Sequence, residues 1–166
     1  MKKNTTNNTP PICIDLISVD ELSGYALNYA VALAQGYELD QIRETMVIMR
    51  RESPEKTDWI YVNPKRPTDR DYDPVRNFNQ SMPIVAHHHI RTEVKLESLR
   101  KGLLSVVPNQ WVGSIMNGDR KLIVAFGETL AIAALRVYLK CCYASFVEIP
   151  VVLLEQKDDI ETKSSW

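Results

Sequence analysis

The stretch from Trp111 to Pro150 constrains this chain most. Gln110 to Met116 is an apolar strand candidate, Asn117-Gly118 a two-residue turn, and Lys121 to Phe126 the returning strand. Leu130 to Tyr143 then follows without Gly or Pro. Leu130, Ala134, Val137 and Cys141 form one stripe of a helix, with Ala131, Leu135, Tyr138 and Cys142 beside it. Only Arg136 and Lys140 mark a wet edge. A helix so apolar around its circumference must be covered by protein, and the adjoining hairpin is the natural cover.

Earlier segments supply the rest of a domain. Leu22, Ala26, Leu27, Ala30, Val31 and Ala34 recur at helical spacing, with Gly36 placed to end the helix, so Leu22 to Gln35 is a second amphipathic helix. Ser18 with Glu21 has capping-box spacing, and Ser23 is a second N-cap candidate. Short strands are expected at Ile12 to Ile17, Asp58 to Val62 and Phe146 to Leu154. Tyr37 to Arg51 fits a helix through Ile42, Met46 and Met49 but leans to strand at Thr45 to Met49, and Thr92 to Leu96 reads as a strand or as the start of a short helix ending near Gly102. Leu103 to Val107 is apolar and stops at Pro108, while Glu52 to Met82, with Pro54, Pro64, Pro67 and Pro74, reads as a long irregular segment. The expected architecture is a single α+β domain over 12–154, a mostly antiparallel sheet with both helices on one face. Residues 1–11 and 155–166 are polar or charged and read as loose tails.

Composition narrows the function classes. Across 166 residues, 45% apolar and 25% charged side chains suit one globular domain. A formal charge of −1 offers no global attraction to nucleic acid or anionic membranes, and no apolar run reaches membrane-spanning length. Of Cys13, Cys141 and Cys142, the adjacent two read as a buried pair of thiols. With no apolar signal segment in Met1 to Pro11, the reading is a cytoplasmic protein.

No nucleophile elbow, phosphate-binding loop or dinucleotide glycine fingerprint is present. His87-His88-His89 invites a metal, but on a strand only His87 and His89 share a face, and no further ligands occur at zinc spacing. No catalytic residue, metal or cofactor is therefore assigned. Tyr72 to Ile84 is the best binding candidate: Tyr72 and Phe78 are aromatic, Asn77, Asn79 and Gln80 amides and Arg76 a cation, a set that suits a planar ligand such as a nucleotide. The same residues also suit a loop pinned to the core. Arg136, alone on its helix, suits either a carboxylate partner such as Asp15 or Glu148, or a ligand's anionic group. Lys65, Arg66 and Arg70 alternate with Asp69, Asp71 and Asp73 and read as a solvated loop.

Three segments in order carry a resemblance. Leu22 to Gly36 follows the form L-x-G-x-x-L-x-x-A-V-A-x-x-x-G; Tyr72 to Val85 is similar to Y-x-P-S-x-x-W-x-x-x-x-P-I-I; Gly127 to Leu139 is similar to G-x-T-P-L-x-A-A-x-R-x-x-V, with Val147 to Pro150 after it. Together they resemble the NinX-like family of bacteriophage proteins, with Phe78 in place of the usual tryptophan and Leu130 in place of a proline. The resemblance implies a phage or prophage accessory product acting in the host cytoplasm, and brings no reaction with it. The expected function is non-catalytic binding of a small ligand, such as a nucleotide or a host signal sequestered in counter-defence. The alternatives are a protein–protein inhibitor or self-assembling module, and a hydrolase with an unrecognised site.

Overall fold

The computed structural model describes residues 12–98, 104–143 and 145–154; the two tails lie outside them. Among the described residues the chain is an α+β domain whose antiparallel strands are distributed over three small sheets. β1 (Ile14–Ser18) pairs with β8 (Phe146–Pro150); β2 (Glu38–Arg43), β3 (Met46–Glu52) and β4 (Thr57–Val62) form a second sheet; β5 (Arg91–Ser98), β6 (Leu104–Met116) and β7 (Leu122–Gly127) form the third. The helices are α1 (Gly24–Ala34), α2 (Phe78–His87) and α3 (Leu130–Tyr143), and a short 3₁₀ turn at Val151–Leu153 follows β8.

α3 is the helix its pattern predicts. Thr129 caps it, its Oγ1 accepting from the Ile132 N–H at 3.2 Å. Leu135, Val137 and Leu139 are completely buried. The helix lies so close to the third sheet that glycine is required beneath it. A Cβ at Gly113 would sit 2.5 Å from the Ala133 carbonyl oxygen, and one at Gly127 2.5 Å from the Ala133 nitrogen. Register explains the shared face: Gly113 pairs with Ala125, and Ile115 with Ile123. Leu122, Val124 and Phe126 therefore point away from the helix, opposite to Gly113 and Ile115, and Leu122 and Phe126 are exposed.

Three features depart from the expected elements. The hairpin does not turn on two residues. Met116 pairs with Leu122, so the reversal takes five, with Arg120 at φ 61° and Asn117 Oδ1 accepting from the Asp119 and Lys121 N–H groups. Pro108 does not stop a strand. It lies in a bulge, because Val94 pairs with Trp111 while Leu96 pairs with Val106, and a bulged residue owes the ladder no N–H. The histidine-bearing segment is the end of α2 rather than a strand, despite Pro83 inside that helix. The expected pairing of His87 and His89 on one strand face is thereby overturned. The adjacent Cys141 and Cys142 also depart from expectation, both being exposed, as Cys13 is.

α1 carries the core toward the second and first sheets. Both α1 and α2 end with the same device. In α1 the Tyr37 N–H returns to the Ala32 carbonyl and the Gly36 N–H to Leu33, with Gly36 at φ 84°. In α2 the Ile90 N–H returns to Val85 and the His89 N–H to Ala86, with His89 at φ 53°. Glycine is the cheap occupant of that left-handed position, and α2 holds a histidine there.

Candidate functional site

Asn28 is the unexpected residue of α1. It is completely buried on an otherwise apolar helix, and both ends of its amide are used. Nδ2 donates to Asp73 Oδ1 at 2.8 Å, and Oδ1 accepts from the Val75 N–H at 3.1 Å. The segment it holds is tied down elsewhere too. The Asp73 N–H donates to Gln80 Oε1 at 2.7 Å, while Gln80 Nε2 donates to the Asp71 carbonyl at 2.7 Å. The Tyr61 N–H donates to the Arg70 carbonyl and the Tyr72 N–H to the Tyr61 carbonyl, both at 2.9 Å, so residues 70–72 dock in parallel on the edge of β4. Within the segment that the proline content marks as irregular, residues 70–75 are held by polar bonds to α1, β4 and α2.

Between β4 and this segment opens a cleft of about 440 Å³. Asp58, Asp69 and Asp71 contribute carboxylates, Lys56 and Arg70 cations, and Trp59, Tyr72 and Gln80 complete the polar and aromatic lining. Its geometry is set from behind. Tyr37 Oη donates to Asp58 Oδ2 at 2.6 Å, and Arg51 sits 3.4 Å from the same oxygen with its guanidinium 4.5 Å above the Tyr37 ring. The Tyr37 hydrogen bond is the main reason that Asp58 is held below the usual carboxylate range. Burial, with that carboxylate as acceptor, pushes the Tyr37 hydroxyl up to about 12. Tyr72 Oη donates to Gln35 Oε1 at 2.5 Å, and burial raises its pKa far above that of a free phenol.

Of the five residues singled out from the sequence, Tyr72 alone lines this cleft. Arg76 places one guanidinium nitrogen 3.5 Å from Asp73 and stands 5.2 Å over the Tyr25 ring. Asn77 caps α2, its side chain accepting from the Asn79 N–H at 3.0 Å. Phe78, in the first turn of α2, is exposed. Arg136 bonds neither Asp15 nor Glu148. Its Nε and one terminal nitrogen donate to the Leu22 carbonyl at 3.0 and 2.8 Å, and the other to the Phe126 carbonyl at 2.7 Å, so the guanidinium clamps α3 to the entry of α1. Burial lowers its pKa.

Gln80 belongs to the Tyr72–Ile84 segment singled out from the sequence, and Asp58 is a carboxylate whose partners only distances reveal, whereas Asn28 and Trp59 come from the structure alone. Of those two, Asn28 carried a signal, as an amide interrupting an apolar run between Leu27 and Tyr29. The histidines stand apart from these carboxylates: His88 and His89 line a different cavity. Among the described residues no group of three His, Cys, Asp or Glu side chains gathers at metal-binding distance.

Comparison with curated proteins gives no match to the chain. A family model described as Bacteriophage P22, NinX matches residues 18–141, from the end of β1 through most of α3. Asn28, the segment it holds, the cleft and the Arg136 clamp all lie inside that span, and the chain belongs to the phage NinX family.

Proposed function

We propose that this phage accessory protein works without catalysis, in the host cytoplasm, by binding a small polar ligand such as a nucleotide in the cleft between β4 and residues 69–72. The observation that supports this is preorganisation: a buried amide, Asn28, spends both of its ends on holding the segment behind the cleft in one conformation. A ligand entering such a cleft need not order its walls. Asp58, Asp69 and Asp71 can accept from the N–H groups of a base, Lys56 and Arg70 can meet a phosphate, and the half-buried Trp59 offers a ring. Separation of the histidines from these carboxylates counts against the hydrolase alternative.

Thermal unfolding of the full chain against a nucleotide panel tests the proposal. A ligand at about 100 times its Kd adds about 2.7 kcal/mol, and Arg70→Gln, at an exposed residue, should weaken that stabilisation. If no nucleotide moves the unfolding temperature, or if Arg70→Gln leaves the response unchanged, the reading fails.

A second reading has one observation in its favour. The outer face of the β1–β8 pair exposes Ile14, Leu16 and Phe146 together, at 50, 65 and 55%. Apolar side chains grouped on an open sheet suit a protein surface, either a host enzyme or a second copy. Sedimentation velocity of wild type against Leu16→Lys would reveal the self-association arm.

A further inference from the structure

A second cavity, of about 390 Å³, lies between the C-terminal end of α2 and the β6–β7 hairpin. Its lining divides by chemistry. His88, His89, Arg91 and Ser114 bring polar and cationic groups; Ile115, Met116 and Leu122 bring an apolar wall. Met116 and Leu122 are paired across the strands and more than 60% exposed. Arg91 is exposed and, among the described residues, forms no ion pair, whereas Arg50, Arg51, Arg76 and Arg136 are engaged. His89 adds an independent argument. It occupies the left-handed capping position that Gly36 fills at the end of α1, so glycine would serve the cap at less conformational cost. What histidine adds at that position is an imidazole on the rim of the cavity.

We propose that this cavity binds a small amphipathic anion, an organic carboxylate or phosphate ester on a short apolar body. Arg91 holds the anionic oxygens, His89 and Ser114 supply hydrogen bonds, and Met116 and Leu122 cover the body. A guanidinium provides two parallel donors for such a group, and its charge persists at any working pH. The apolar wall selects against inorganic anions, since they bury nothing against it.

The chain contains three histidines, all at 87–89, so the proton–nitrogen spectrum of its imidazoles reports on this neighbourhood alone. Full-length protein would be titrated with octanoate, phenyl phosphate, octanol and inorganic phosphate. Saturable shifts are expected with at least one of the first two, whichever it is naming the headgroup. Octanol and inorganic phosphate should bind about tenfold more weakly or worse. Arg91→Gln should weaken the amphiphile by about tenfold, and Leu122→Ser, at a residue 63% exposed, provides the same test should the arginine variant fail to fold. His89→Gly should lose affinity without losing thermal stability, an outcome that a purely structural histidine would not produce. Octanol binding as well as octanoate, unchanged affinity in both Arg91→Gln and Leu122→Ser, or no saturable shift with either amphiphile would overturn the proposal.

Discussion

Asn28 and Asp73, 45 positions apart in sequence, meet through a 2.8 Å hydrogen bond from a completely buried amide to a half-buried carboxylate. This contact joins the central core helix to the wall of the candidate cleft. Replacing Asn28 by Ala strands the Val75 N–H and removes one donor from Asp73. The expected loss is about 2–4 kcal/mol for two buried bonds, one of them to a charged group. Urea unfolding should show a lower midpoint. Asn28→Asp should not rescue it, because a second carboxylate would face Asp73.

Gly113 and Gly127 set the distance between α3 and its sheet. Since a methyl group at either position would run into the Ala133 backbone, Gly113→Ala should destabilise by about 1–3 kcal/mol, the usual range for overpacking. Gly118, with open space around it, serves as the control, and Gly118→Ala should be nearly silent in the same denaturation experiment.

Arg136 acts as a clamp on two carbonyls. Arg136→Met keeps the apolar stem of the side chain and deletes its donors, leaving the Leu22 and Phe126 carbonyls without this partner. A loss of about 2–3 kcal/mol is expected, and Arg136→Lys should recover part of it by reaching one carbonyl. If ligand binding at the β4 cleft were measured in the same variants, affinity should hold while stability falls.

Stability should depend on pH through His88. Its ring lies 4.7 Å from that of Tyr138, and burial, reinforced by His87 and His89, lowers its pKa below the ordinary 6.5. Protonation is therefore easier in the unfolded chain than in the folded one. Stability is fully present above about 6.5 and falls as the pH drops from there toward the folded value, below which this contribution stays flat. His88→Gln should remove that slope from a plot of unfolding temperature against pH. Asp58 acts in a lower window: its depressed pKa stabilises the fold above the free carboxylate value, and that gain disappears as acid protonates the folded form.

Long, strongly periodic elements were legible from the sequence. Leu130 to Tyr143 was recovered to the residue, and α1 to within two residues at its start, because burial on one side imposes a period that no other structure shares. α2 was hidden by Pro83 and by three consecutive histidines, none of which advertises a helix. The turn after Met116 departs from its sequence signal for a different reason. Asn117-Gly118 can form a two-residue reversal, but Asn117 instead spends its side chain on the Asp119 and Lys121 N–H groups. Site residues were harder still. Tyr72 is conspicuous in the sequence as an aromatic in a polar segment, whereas Asp58 and Gln80 reach the cleft lining through tertiary pairing. Asn77 and Arg136 looked like ligand donors because a cap and a clamp use the same chemistry as recognition.

β1 finds its partner in β8: Ser18 lies against Phe146, and the Val151 N–H closes the ladder on the Cys13 carbonyl. During synthesis the opening strand therefore waits, edge bare and with Ile17 not yet packed on the core, until nearly the whole fold has emerged. Closing so long a loop slows the search more than it weakens the final product. The slowest event in acquiring this structure should be the knitting of its two extremities, and truncation before Phe146 should yield aggregates rather than a smaller folded body.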